Sequence, residues 1–396
     1  METLFQAYRA LFGKGDALYQ LFSPYRICPL GAHVDHQHGL VSGFAFDKGI
    51  EFLFSATETG KVEMCSLSFE GLMTFNVQKP IEEKQHNWGD YLRGAVWSLQ
   101  QDFQLRRGVK GLVQGSMPIG GVSSSAALLC GFVMAVAKVN DIALDKMEVI
   151  HYASEAEREY VGLRNGILDQ ACVVLCESDK LLYLDTRDSS YELLPFGNGE
   201  GRGLPFELGI FFSGVTRQLT GTDYNLRVSE CKTAAWIMEA YEGLPLKELE
   251  ATRLRDIDEE IFLKNEHKMP DRFARRARHF YTECDRVRLG VEAWKSGDIH
   301  LFGNYIFESC ESSILNYECG SAELIALYEI MKETDGIYGG RFSGAGFKGA
   351  CIALVCPEEE EEVRRFVTEK YLKRFPQYRD TFEVFFCKPC GGVDFL

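Results

Sequence analysis

Basic residues are the first shortage in this sequence. Lysine and arginine number 43 against 58 aspartates and glutamates, which leaves a formal net charge of −15 over 396 residues. Such a surface repels a nucleic-acid backbone or an acidic membrane over most of its area. The one local exception, RFARRAR from Arg272 to Arg278, reads as a solvated helix face. Long apolar runs are missing as well. No residue is charged between Lys110 and Lys138, yet that stretch holds Pro118, several glycines and three consecutive serines, and its apolar part is too short to span a bilayer. The N-terminal METLFQAYRALFGKG is amphipathic but lacks the basic start and apolar core of a signal peptide, so no secretion is expected. Thirteen scattered cysteines then suggest reduced thiols in the cytosol. Only Cys387 and Cys390 make a C-x-x-C, and with no second pair at that spacing they do not compose a four-ligand zinc site.

What is present is organised around Gly115 to Ala137, GSMPIGGVSSSAALLCGFVMAVA. A glycine- and serine-rich loop opens straight into an apolar helical pattern. Gly120 and Gly121 let the backbone come close to an anion, and Ser123, Ser124 and Ser125 offer hydroxyls and N-cap chemistry. The helix N-terminus adds orphan amides and positive dipole, which suits a phosphate. A capped core helix after a turn explains the same residues, because the P-loop pattern G-x-x-x-x-G-K-[ST] is absent.

Length and composition, 46% hydrophobic and 26% charged, fit a globular protein of two domains. Apolar alternation predicts strands in IEFLFSAT, KVEMCSLSF and VKGLVQ. Steps of three and four predict helices from Trp88 to Leu99 and from Asp145 to Tyr160. Ser189 to Gly203 is glycine-rich and loop-like, which places a domain boundary at 200, with units 1–200 and 201–396. Beyond it FELGIFFS, ACIALVC and TFEVFFC read as strands among long helices, an α+β pattern.

Three constellations carry chemistry. HVDHQH, from His33 to His38, could ligate a metal, hold the hydroxyls of a sugar, or be a solvated turn. GAGFKG, from Gly344 to Gly349, matches G-x-G-x-x-G, but a strand-like run follows it where a dinucleotide fold needs a helix. It is therefore a turn between strands or a glycine-rich cover over a ligand. Arg26 and Asp169 are both embedded in apolar surroundings, where a charge is costly unless paired or functional.

Taken together and in order, SPYRICPLGAHVDHQHG, PIGGVSSSAA and GGRFSGAGFKGAC resemble the three motifs of the GHMP small-molecule kinases, in their galactokinase branch. AEREYVGLRNGILDQ and TDYNLRVSEC resemble further segments of the same branch. The resemblance implies a two-domain α+β GHMP kinase fold: a ribosomal-protein-S5-like N-terminal domain, a ferredoxin-like C-terminal domain, and a site between them for ATP, Mg²⁺ and a small-molecule sugar. By position it makes Asp169 the catalytic carboxylate and Arg26 its cationic partner, with Ser125 and Glu157 on Mg²⁺. It assigns His33, Asp35, Gly166 and Tyr224 to the sugar, the loop from Pro118 through Gly120, Gly121, Ser123, Ser124 and Ser125 to the nucleotide phosphates, and Trp88 to the neighbourhood of the adenine.

Two departures stand out. The second motif is one residue shorter between Pro118 and the serines than the usual galactokinase form. In the first, Ala32 replaces the glutamate that galactokinases place beside the sugar's C6 hydroxyl. Loss of that charge suits a substrate with a C6 carboxylate, and GAHVDHQHG resembles plant galacturonokinases more closely than galactokinases. Galacturonate is therefore the expected substrate, with Arg217 as the cation that would balance it. Galactose is the alternative, and a non-catalytic sugar sensor on the same fold is the alternative of another class.

Overall fold

A computed structural model describes the chain from residue 2 to 396 apart from 15, 16, 82, 119, 200–202 and 216–222, so Arg217 lies outside the described residues. The first half is built on one sheet and the helices α1 (Glu2–Phe12), α2 (Gly89–Leu99), α3 (Ser124–Val139), α4 (Lys146–Glu155) and α5 (Leu168–Leu175). Its strands are β1 (Tyr19–Ile27), β2 (Leu40–Thr57), β3 (Lys61–Ser66), β4 (Leu72–Asn76), β5 (Gly108–Gly115), β6 (Lys180–Asp185) and β7 (Tyr191–Pro195). The predicted strands and the helix at Trp88–Leu99 appear where expected.

β2 pairs with β1 along one side and, on the other, with β6 at Leu40–Gly43 and β5 at Ile50–Thr57. The β1–β2 register shifts between Pro24 and Tyr25. Proline cannot donate to a ladder, so an irregular register is where a strand tolerates it. Beyond that irregularity β1 delivers Arg26 to the end of the strand. α3, apolar on nearly every face, packs against β1 and β2 as a core helix should.

The second half holds β8 (Glu207–Phe212), β9 (Ile337–Phe342), β10 (Ala350–Val355) and β11 (Glu383–Cys387) in the antiparallel order β11-β8-β10-β9. Around it lie α6 (Asp223–Tyr241), α7 (Glu259–Asn265), α8 (Asp271–Ser296), α9 (Ile299–Ser312), α10 (Ala322–Lys332) and α11 (Glu360–Arg374). The chain then turns back. β12 (Pro389–Cys390) and β13 (Asp394–Phe395) pair with β2 and β1, so the last residues complete the first sheet rather than the second. One apolar core runs through both halves. Trp294 of α8 packs with Phe44, Phe196, Phe206 and Phe302, and its indole N–H donates to the Leu194 carbonyl at 3.0 Å.

Three local expectations are corrected. The Ser189–Gly203 stretch contains β7, because Tyr191–Pro195 pairs with β6 despite the glycines that follow. The helix from Asp145 to Tyr160 is interrupted: α4, closed by a capping box at Asp145 and Glu148, gives way at Ala156 to a wider π-helical turn that runs to Val161. RFARRAR is not a solvated face, since Arg276 is 1% exposed and paired with Glu230 at 2.8 Å. Among the described residues no helix is long and apolar enough to cross a membrane.

Candidate active site

The three motifs, distant in sequence, line one cavity of about 350 Å³ between the halves. Arg26, 4% exposed, directs both Nε and Nη2 at Asp169 Oδ1, each at 2.8 Å. Asp169 stands in the first turn of α5, where the helix dipole favours a negative charge. Its other oxygen, Oδ2, accepts the Ser123 hydroxyl at 2.6 Å. Burial opposes the guanidinium charge, but Asp169 outweighs it and lifts the Arg26 pKa above the ordinary arginine value. The third guanidinium nitrogen, Nη1, is buried without a partner. A buried unpaired donor is expensive, so this atom suits an incoming anion.

The serine loop differs from the sequence expectation in one respect. Ser123 precedes α3 with a left-handed backbone, φ 56°, and makes no side-chain cap; its hydroxyl goes to Asp169 instead. The glycines do more than admit a ligand. A Cβ on Gly121, φ +81°, would lie 3.0 Å from the Ala350 nitrogen, and one on Gly349, φ +100°, 2.8 Å from the Gly120 carbonyl carbon. The loop of the first half thus lies backbone to backbone on the GAGFKG turn of the second, tied by the Ser343 hydroxyl to the Gly121 carbonyl.

Glu157, on the π-helical turn, is fully buried. Its Oε2 accepts from Asn165 at 2.8 Å and Gln170 at 2.6 Å, while Oε1 has no hydrogen-bond partner. Burial and then the Asp169 charge raise its pKa, and hydrogen bonds from Asn165, Ser125 and Gln170 pull it back. An open carboxylate oxygen beside a serine hydroxyl is the hard-oxygen chemistry of Mg²⁺, which takes one or two protein ligands and completes its shell with water and phosphate. Among the described residues no group of three His, Cys, Asp or Glu side chains could hold a metal. The HVDHQH cluster therefore does not compose a metal centre of protein ligands among the described residues.

Ala32, His33, Asp35 and Tyr224 form the opposite wall of the cavity. Burial and then the charge of Asp169 push the Asp35 carboxyl up to about 6. Gly166 lies behind it, and a Cβ there would fall 2.6 Å from Asp35 atoms, so glycine is what admits the carboxylate. His33 stacks on Tyr317 at 4.3 Å and meets Cys319 Sγ at 3.5 Å; burial, then Arg341, keeps it neutral. The Ala32 carbonyl accepts from His279 at 3.0 Å. Pro118, half-buried, and Trp88, which packs on Phe69 at 6.5 Å, are not part of this wall.

Sequence reasoning missed the support beneath the wall. Glu283 of α8 accepts the amides of Gly31 at 2.8 Å and Ala32 at 3.3 Å. Burial works to raise its carboxyl, but Arg286, His279 and Arg341 outweigh it and hold it at about 2. Arg341 and Lys348 also line the cavity. Their only sequence signal was a cation inside a glycine-rich turn.

Two family descriptions match the chain: "GHMP kinases N terminal domain" at residues 90–177 and "GHMP kinases C terminal" at 291–373. A galacturonokinase of Arabidopsis thaliana is 39% identical over 376 residues, covering 90% of this chain and 87% of that one. A galactokinase of Thermococcus kodakarensis is 32% identical, covering 94% and 99%. Among solved structures, Lactococcus lactis galactokinase complexed with galactose superposes with a TM-score of 0.89 at 26% identity, covering 99% of this chain and 98% of that one. Methanococcus jannaschii mevalonate kinase, TM-score 0.63 at 16% identity, shares the fold.

Proposed function

The chain belongs to the GHMP kinases, an ATP-dependent sugar kinase on that family's two-domain fold, and from this premise we propose that it transfers the γ-phosphoryl group of ATP to the anomeric hydroxyl of galacturonate. The observation that carries the reading is the Arg26–Asp169 pair, which meets the serine loop at Ser123 and keeps Arg26 Nη1 free and buried.

Phosphoryl transfer needs positioning and charge neutralisation more than covalent help. Asp169 orients the anomeric hydroxyl and receives its proton. Arg26 Nη1 and the loop amides at Gly120 to Ser125 bind phosphoryl oxygens. Glu157 Oε1 and the Ser125 hydroxyl would hold Mg²⁺, which when bound supplies Lewis-acid neutralisation of the phosphates. His33, Asp35 and Tyr224 bind the sugar hydroxyls, with Gly166 making room for Asp35. Ala32 leaves the C6 end of the site without a carboxylate, which supports an acidic sugar.

A coupled ADP-release assay with galacturonate, glucuronate, galactose and arabinose tests the reading. Galacturonate should give the highest kcat/KM, with the phosphate on the anomeric oxygen and activity lost in EDTA. Galactose ahead of galacturonate would return the protein to the galactokinases. Glu157→Ala should raise the Mg²⁺ concentration needed for half-maximal rate by about tenfold or more, the scale of losing one hard-oxygen ligand. An unchanged Mg²⁺ titration would remove Glu157 from the metal site.

A further inference from the structure

Behind the sugar wall lies a second cavity, of about 900 Å³, that shares Asp35 and Asn165 with the first. Four cations line it: Arg158, Arg164, Lys232 and Arg253. Its carboxylates do not neutralise all four. Glu250 is taken by both Lys232 and Arg164, the latter at 3.3 Å. Asp35 accepts the His36 amide at 2.9 Å, and Glu159 is exposed. Arg253 spends Nη1 on two backbone carbonyls, of Glu250 at 2.7 Å and Thr252 at 2.8 Å. Arg158 has no hydrogen bond or ion pair among the described residues.

Both guanidinium groups keep a buried Nε without a partner. They also feel each other. Burial is the main force lowering the Arg253 pKa, and the positive charge of Arg158 adds to it against Asp256 and Glu250. The same Arg253 charge, after burial, helps keep His36 and His38 neutral on the loop that carries Asp35. The carboxylates that act on Arg253 are already shared, Glu250 with Lys232 and Arg164 and Asp256 with Arg187 and Lys247, so two half-buried like charges with unused donors leave room for a further counter-ion.

We infer that this cavity is a second binding site for a small oxyanion, a phosphate or carboxylate group held by Arg158 and Arg253, and that its occupancy couples to the sugar site through their common wall at Asp35 and Asn165. Guanidinium forks suit planar or tetrahedral oxyanions. The coupling rests on the proposed sugar site; the binding does not. A product bearing both phosphate and carboxylate is one source of such an anion, and inorganic phosphate is another.

The test is titration calorimetry of the full-length protein with inorganic phosphate and with galacturonate 1-phosphate, each in the presence of saturating galacturonate and a non-hydrolysable ATP analogue that fill the first cavity. At least one of the two anions should still bind, and Arg158→Gln combined with Arg253→Gln should weaken it tenfold or more while kcat without added anion is unchanged. The arm that binds more tightly identifies the source. Arg158→Gln alone, at a half-buried position on the π-helical turn, gives the same reading at reduced amplitude if the double variant does not fold. Binding of neither anion with the first cavity filled, or binding unaffected by either variant, overturns the inference. So does a rise in KM for galacturonate but not galactose in the variants, since the cavity would then hold the substrate's own carboxylate. A protein without kinase activity would sink the functional reading and leave the calorimetric result standing.

Discussion

In the proposed reaction Asp169 starts with both oxygens hydrogen-bonded, one by Arg26 and one by Ser123. Oδ1 already accepts from two guanidinium nitrogens, while Oδ2 keeps a lone pair beside the serine hydroxyl, so Oδ2 is the oxygen open to the proton. Asp169→Asn preserves the shape and should fold, yet should lower kcat by roughly 10²-fold or more, the scale of a positioned acid or base. Steady-state rates on a variant with wild-type melting behaviour check this, and near-normal kcat would dismiss Asp169 from the chemistry. Ala32 sets a different term. Restoring a carboxylate there by Ala32→Glu should turn the protein from galacturonate toward galactose, because two unit charges about 4 Å apart repel by roughly 4 kcal/mol at an effective dielectric near 20. The ratio of kcat/KM for the two sugars, in wild type and variant, decides it; an unchanged ratio would defeat the carboxylate argument. Arg217→Ala should raise KM for galacturonate more than for galactose if that arginine balances the substrate charge.

At the scale of elements, two loops and a helix start must meet at sub-ångström tolerance, and glycine is how they do so. Gly166→Ala would push a methyl group into Asp35. Overpacking of this kind costs about 1–3 kcal/mol, so KM for the sugar should rise about 5- to 150-fold while KM for ATP stays put. Equal rises in both, or none, would show that Gly166 does not shape the sugar wall. This is also where the limit of the sequence lies. The glycine–serine loop and the periodic helices are local patterns, and they were legible. The partnership of Arg26 and Asp169 spans 143 residues and was legible only through the resemblance to galactokinases, while the clasp of Glu283 on Gly31 spans 252 and only the folded chain brings it together. The π-helical turn that aims Glu157 leaves the 3.6 period it interrupts, and β7 is a strand by virtue of β6 rather than its own composition. Arg276 misled the reading because a buried arginine and a solvated one look alike until the carboxylate opposite is known.

Across the whole molecule the histidines dictate the response to acid. His33, His36 and His279 are buried and held below 6.5 chiefly by burial, His36 at about 3 and His279 at about 4. An unfolded chain protonates them near 6.5 and the folded one does not. Their contribution to stability is therefore complete above pH 6.5 and falls as pH drops toward the folded values, by about 1.4 kcal/mol per pH unit for each. Asp35, raised to about 6, and Glu157 act in the opposite sense, since the folded state binds their protons first. Glu360, raised to about 7 by burial and then by Glu207, sides with these acids, and half-buried His38, lowered chiefly by burial, sides with the histidines, so four histidines stand against these three acids. Denaturant unfolding from pH 6.5 to 5 should show a steady loss of stability, shallower by about one histidine's share in His279→Gln; stability that held or rose on acidification would contradict the neutral cluster.

The return of β12 and β13 to the first sheet bears on the order in which the protein can be made. A ribosome releases residues 19–195 long before 389–395, so the flank of β1 and the gap beside the middle of β2 wait through the synthesis of the entire second half. Until then the nascent sheet presents unpaired strand edge, the surface on which neighbouring chains of a polysome can template one another. The GAGFKG turn at 344–349 is made before β12 and β13, so the serine loop has its partner while the first sheet is still open. A chain stopped shortly before residue 389 would therefore carry every motif of the site on a scaffold left open.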